Sequence, residues 1–300
     1  MKQADIAMYQ AKATRSGYCI YRPEMSAGIA ERMQLAQDLS HAISASELQL
    51  YYQPQVNLRT GALVGAEALL RWHNPERGWV SPAEFIPLAE ERHMMGTLGT
   101  WVIRQACAQL QAWQQAGWHF PGRLAVNVAP QQLEDADIAR KILSIVDAAG
   151  LAPRQLEIEL TENGLMKNIE ESIQTMETLR RAGITIALDD FGTGHSSLAY
   201  LQRLPVDKLK IDISFVREML AGKSSRTIVA IIVNMAQNFG ITALAEGVET
   251  QEQVRTLHEL KCDEVQGYYF GRPEPAALFA QKWLATLADE PLLVGESPAS

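Results

Sequence analysis

Short apolar or β-branched runs alternate with amphipathic stretches along nearly the whole chain, and that alternation leaves few folds open. Strand-like runs fall at 48–56, 63–72, 124–128, 156–160, 184–188, 208–211, 241–245 and 264–267. Most intervals between them carry helical periodicity. Ile169, Ile173, Met176 and Leu179 recur at spacings of four, three and three, and Gly183 stands where a helix should end. Ile228, Ile231, Ile232, Met235 and Phe239 repeat the pattern ahead of Gly240. Eight strand candidates separated by helices predict a parallel sheet closed into a barrel. The structural alternative, a doubly wound open sheet, lacks the Gly-x-Gly-x-x-Gly turn after its first strand.

Both ends fall outside the alternation. Residues 1–25 hold one helix-like stretch, 3–12, and an extended piece at 18–21, too little to make a core. Residues 26–47 read as a linker helix (Ile29, Met33, Leu35, Leu39, Ile43), 48–287 as the barrel, and 288–300 as an acidic, proline-bearing flexible tail. A chain of 300 residues, 47% of them hydrophobic, has ample material for one α/β barrel. Its net charge of −8 argues against a nucleic acid polymer as partner. A small anionic ligand remains compatible, because bound cations reverse the local field. Cys19, Cys107 and Cys262 are odd in number and far apart, which suits reduced cytosolic thiols rather than disulfides or a zinc site. The start lacks a signal peptide's apolar core, and the longest apolar stretch, near 227–235, is too short to span a bilayer. The expectation is a soluble, cytoplasmic chain without membrane contact of its own; a longer parent protein with a membrane anchor stays open.

The strand at 184–188 runs into Asp189-Asp190 and then Phe191-Gly192-Thr193-Gly194. Two carboxylates about 4 Å apart repel by roughly 4 kcal/mol at an effective dielectric of about 20, so a compensating cation is expected. The plainer alternative is a strand end capped by solvated aspartates. In a barrel, chemistry sits at the carboxyl ends of the strands. Polar residues at or near those exits are Asn127, Glu159, Asp189, Asp190, Lys210, Asp212, Glu246 and Gln266, with Glu67 joining from within its own strand. They are nearly all hard oxygen donors, suited to Mg²⁺ or Mn²⁺, and no histidine or cysteine is placed to favour zinc. Only Lys210 and Arg71 offer cations to so many acids. Paired divalent ions are the usual tools for in-line phosphoester hydrolysis, so the residues point to metal-assisted hydrolysis of an unnamed phosphoester.

Tyr51-Tyr52-Gln53-Pro54-Gln55 precedes Glu67-Ala68-Leu69, and Arg71-Trp72 follows. Asn127-Val128, Glu157-Ile158-Glu159-Leu160-Thr161-Glu162 and Asp189-Asp190-Phe191-Gly192-Thr193-Gly194 come next. Lys208-Leu209-Lys210-Ile211-Asp212, Ala245-Glu246-Gly247-Val248-Glu249 and Gln266-Gly267-Tyr268 complete the set. In this order, over about 30–287, the motifs resemble those of the EAL domain, the bacterial cyclic-di-GMP phosphodiesterase. The resemblance implies a TIM-like (β/α)8 barrel with one antiparallel strand and two Mg²⁺ or Mn²⁺ ions, with Ca²⁺ inhibitory. It implies cyclic-di-GMP as substrate, linear pGpG as product, and a homodimer.

Carried onto this chain, the resemblance makes Glu67, Asn127, Glu159, Asp189, Asp190 and Glu246 metal ligands, with Asp189 bridging the two ions. Glu67, Lys210, Asp212 and Glu246 become catalytic; Gln53, Leu69, Arg71, Asn127, Asp190 and Gln266 become substrate contacts. Glu162 and Glu249 become supporting residues. The loop 190–197 resembles the family's mobile loop, where His195 replaces a usual tyrosine. Residues 4–12 resemble the last helix of a GGDEF domain, whose own signature is absent from this chain. A second functional class is a cyclic-di-GMP-binding sensor with little turnover; the complete ligand set favours the enzyme.

Overall fold

The computed structural model describes Ala4, Met8 and residues 17–165, 168–192 and 201–285. The expected helix at 3–12 therefore lies almost wholly outside the described residues, and the tail at 288–300 lies entirely outside them. Two compact units emerge, Met1–Gln49 with Arg71–Met94, and Leu50–Leu70 with Met95–Ser300.

In the first unit, the linker helix is observed at Pro23–Ala42. The end of β2 (Leu63–Asn74) folds back on β3 (Gly78–Val80), and Asn74 Oδ1 holds the turn by accepting from the Glu76 and Arg77 amides at 3.0 Å each. Trp72 is fully buried, edge-on to Phe85 at 5.6 Å, and its indole N–H donates to Glu47 at 3.0 Å. Buried tryptophan is tolerated because that N–H is satisfied.

The second unit is the barrel. Its strands are β1 (Leu48–Asn57), β2, β4 (Arg123–Asn127), β5 (Leu156–Thr161), β6 (Thr185–Phe191), β7 (Lys208–Ile211), β8 (Thr242–Ala245) and β9 (Glu264–Val265). Hydrogen bonding runs β1-β9-β8-β7-β6-β5-β4-β2, and a β1–β2 pairing closes the ring. From β2 through β9 the neighbours are parallel, whereas β1 meets β9 antiparallel, at Val56 opposite Val265. The one antiparallel barrel strand is thus β1, and all eight strand-like runs become barrel strands. A short β10 (Glu274–Pro275) pairs with β1 outside the ring.

Helices Met95–Gln115, Ile138–Ala148, Ile169–Arg181, Lys223–Phe239 and Gln251–Glu259 connect the strands. Ile138, Ile142, Ile145 and Val146 form the buried stripe of one of them. Gly240 ends another in the left-handed region at φ 68°, which a residue without Cβ enters freely. The apolar spacing on Lys223–Phe239 needs correction. Ile232 faces the core beside Val229, Val233 and Ala236, but Ile231 and Phe239 are 58% and 44% exposed. That helix has more apolar residues than its buried face accommodates. On the outer side of β1, Tyr52 and Trp113 stand edge-on at 4.9 Å, and Trp113 stacks on Phe279 at 5.4 Å. Cys107 and Cys262 are buried, and all three cysteines are free thiols. No helix among the described residues is long and apolar enough to cross a membrane.

Candidate active site

Strand alternation sends every second side chain into the barrel, and at the carboxyl ends those side chains are charged. Lys210, on β7, is sealed from solvent. Its Nζ lies 2.7 Å from Glu159 Oε2, 2.9 Å from Glu246 Oε1, 3.2 Å from Asp189 Oδ1 and 3.7 Å from Glu67 Oε2. Glu67 is held on both oxygens. Oε1 accepts from Asn127 Nδ2 at 2.7 Å, and Oε2 accepts from Gln266 Nε2 at 2.6 Å. Gln266 also donates to Gln53 Oε1 at 3.0 Å.

Adjacent residues on a regular strand point to opposite faces, so Asp189 and Asp190 should diverge. They do not, because the β6–β7 register slips between Leu188 and Phe191. Within that bulge Asp190 takes a left-handed backbone, φ 55°, which costs on the order of 1–3 kcal/mol for a residue with a Cβ. The distortion brings ligand oxygens of Asp189, Asp190 and Glu246 within 4.8 Å of one another. Glu159 Oε1 is buried and has no hydrogen-bond partner. A compact set of hard oxygens with an unsatisfied carboxylate atom fits a divalent cation such as Mg²⁺ or Mn²⁺.

The electrostatics fit the same need. Burial pushes the Glu159 carboxyl well above the usual range, and the Glu67 charge adds to it. Glu67 goes the other way: burial would raise it, but Lys210, Gln266 and Asn127 outweigh that and lower it. Burial carries Glu246 to about 8 against the pull of Lys210. Asp190 is pushed to about 6 by burial and by the Asp189 and Asp212 charges. Burial would lower the Lys210 ammonium, yet Asp189, Glu159, Glu246 and Glu67 together raise it well above its ordinary value. One ammonium among four carboxylates leaves a local excess of acidic groups.

The sequence profile of the EAL domain matches residues 36–273. The chain belongs to the EAL domain family. The Pseudomonas aeruginosa bifunctional diguanylate cyclase/cyclic di-GMP phosphodiesterase MucR is 39% identical to it over 277 residues, 92% of this chain and 40% of that protein. Cyclic di-GMP phosphodiesterase NbdA of the same organism is 40% identical over 278 residues, 92% of this chain and 35% of that protein. The chain therefore spans two fifths or less of the length of these curated relatives. A solved PaMucR phosphodiesterase in complex with c-di-GMP superposes with a TM-score of 0.79 at 38% identity, covering 82% of this chain and 99% of that one. The EAL domain of Mycobacterium smegmatis DcpA gives 0.68 at 33% identity, covering 81% and 97%.

In this EAL domain the remaining candidate residues separate by position. Glu162 is buried and its Oε2 accepts from the Gly192 amide at 3.1 Å, at the start of the 190–197 loop. Residues 193–197 of that loop, with His195, lie outside the described residues. Asp212 caps the helix Ile213–Glu218 by accepting from the Ser214 amide at 2.9 Å. Glu249 is exposed, paired with Arg217 at 3.2 Å, and is not among the groups around Lys210. Leu69 is half-buried on β2, and Arg71 belongs to the other compact unit. Gly247, at φ 66°, lets the chain turn directly after Glu246, where a Cβ would meet Ile213 Cγ1 at 2.1 Å.

Reading only strand exits missed a deeper polar layer of Gln55, Glu157, Lys208 and Glu264, all inside the barrel. The signal was present: each stands two residues before an identified site residue or, for Gln55, two residues after Gln53.

Proposed function

We propose that this EAL domain is a metal-dependent phosphodiesterase that hydrolyses cyclic-di-GMP to linear pGpG. The observation that carries the proposal is the convergence of Glu67, Glu159, Asp189 and Glu246 on Lys210 at the carboxyl ends of the barrel strands. Glu67, Asn127, Glu159, Asp189, Asp190 and Glu246 would hold two Mg²⁺ or Mn²⁺ ions. Such ions would supply a lowered pKa for the attacking water and offset charge on the phosphoryl oxygens.

Lys210 Nζ would accept a proton from that water once the carboxylates are engaged by cations and no longer fix its charge, or would simply hold the water by hydrogen bonding. Gln53, Leu69, Arg71, Asn127, Asp190 and Gln266 contact the substrate, and Asp212, Glu162 and Glu249 support the site. A guanidinium at Arg71 offers a phosphate paired N–H donors, which lysine does not. We take the chain to act as a cytoplasmic homodimer; exposed Ile231 and Phe239 on the helix Lys223–Phe239 support the dimer.

Incubation of purified protein with cyclic-di-GMP and Mg²⁺ or Mn²⁺, with products resolved by chromatography, tests the reading. Accumulation of pGpG is expected; tight binding without product would make the chain a sensor instead. Ca²⁺ prefers longer bonds and more ligands, so it should displace the active ions and suppress turnover. Full activity of metal-stripped protein in Ca²⁺ alone would refute that geometric argument.

A further inference from the structure

Beneath the carboxylate cluster, the inward faces of the strands carry polar groups that the proposed chemistry leaves unused. Lys208 is buried, and its Nζ lies 2.9 Å from both Glu157 and Glu264 and donates to Gln55 Oε1 at 3.1 Å. Gln55 Nε2 donates to Gln266 Oε1 at 3.1 Å. Gln266 Nε2 then donates to Glu67 Oε2 at 2.6 Å and to Gln53 Oε1 at 3.0 Å, and Gln53 Nε2 donates to the Gly271 carbonyl at 3.1 Å. Gly65 keeps the path open, since a Cβ there would stand 3.0 Å from Gln55 Oε1 and 2.7 Å from the Arg123 carbonyl.

Such a chain has a direction. An ammonium only donates, whereas an ionised carboxylate and a carbonyl only accept. With Lys208 at one end and Glu67 and Gly271 at the other, each intervening amide has one orientation that satisfies both neighbours. Turning one over sets oxygen against oxygen on one side and N–H against N–H on the other, inside a dry interior where neither finds water.

We infer that Lys208 and Gln55 are positioning residues for the active site: the lysine sets the direction of a buried amide relay that holds the Gln266 NH₂ group against Glu67. The inference rests on the reading above, in which Glu67 holds a divalent ion. With one oxygen fixed by Gln266 and the other by Asn127, Glu67 presents its remaining lone pairs in one arrangement. Outer-shell partners of this kind orient ligands and change metal affinity by about 10–100-fold when lost.

Two variants at one position separate direction from mere space-filling. Gln55→Glu keeps the shape but accepts on both oxygens, so it stays paired with Lys208 and forces the Gln266 amide to turn its oxygen toward Glu67. Gln55→Met cuts the relay without reversing it. Mn²⁺ affinity by electron paramagnetic resonance without nucleotide, thermal unfolding, and kcat and KM on cyclic-di-GMP are measured for parent and both variants. Mn²⁺ affinity should fall in the order parent, Gln55→Met, Gln55→Glu, by about tenfold or more for the last, with cooperative unfolding retained. Parent-like Mn²⁺ affinity in Gln55→Glu, alongside an active parent, overturns the relay and leaves the enzyme reading standing. If Gln55→Glu fails to fold, Gln55→Met decides, and unchanged affinity there overturns the relay. A parent that binds no Mn²⁺ and forms no pGpG overturns both.

Discussion

A lysine enclosed by four carboxylates keeps its proton, so the ion-free Lys210 side chain is a counterion before it is anything else. The catalytic role proposed for it would depend on those carboxylates finding other cations. Lys210→Ala should bind cyclic-di-GMP about as well as the parent in Ca²⁺ and turn it over about 10²–10⁴-fold more slowly in Mg²⁺, the span expected for a lost proton-transfer group. Equal losses of binding and turnover would make Lys210 a substrate contact. Glu67→Ala and Asp189→Asn each delete an anionic oxygen rather than an outer contact. Loss of an outer contact already costs about 10–100-fold, so turnover in either variant should fall by at least about a hundredfold with the circular dichroism spectrum unchanged. Parent-like rates in a folded variant would disprove the ligand assignment.

The elements show what a sequence discloses and what it withholds. Short apolar or β-branched runs make the strands readable, and an apolar stripe with a terminal glycine makes Ile169–Arg181 readable as a helix. The β6 bulge is different in kind, because it exists only in the register between β6 and β7, which no residue of Asp189-Asp190 encodes alone. The directed amides of Gln53, Gln55 and Gln266 likewise become visible only when β1 and β9 lie side by side. Arg71–Met94 folding with the N-terminal helix as a separate compact unit was not anticipated, since its helix Pro82–Glu91 is short and contains Pro87. Outside the ring, Phe279 packs against both Trp113 and Tyr52 and is fully buried. Phe279→Ala should cost about 3–5 kcal/mol in urea unfolding, from lost burial plus the cavity left behind. A change below 1 kcal/mol would mean that the surrounding rings close over the gap.

For the molecule as a whole, the acidic site should be a source of instability that bound ions would relieve. Asp190 titrates near 6 against an ordinary 3.8, and Glu246 near 8 against 4.5, so both hold protons more firmly in the folded chain than in the unfolded one. Their contribution is then greatest below about pH 4 and is lost as pH rises through 6 and 8. Metal-free protein should show a melting temperature that falls between pH 6 and pH 8.5, a slope that Glu246→Gln flattens. Mn²⁺ should bind more tightly as pH rises, because it competes with those protons. A parent and a Glu246→Gln variant with identical slopes would refute the assignment. Strand β9 joins the ring where Val56 meets Val265, and Gln55 reaches Gln266 across 211 residues of chain. A nascent polypeptide leaving the ribosome carries most of its acidic ligands long before it carries β9, yet it has neither the closing strand nor Gln266 to hold Glu67. On the proposed function, hydrolysis would therefore begin only after nearly the whole domain has been translated, and a prematurely terminated fragment would leave the substrate untouched.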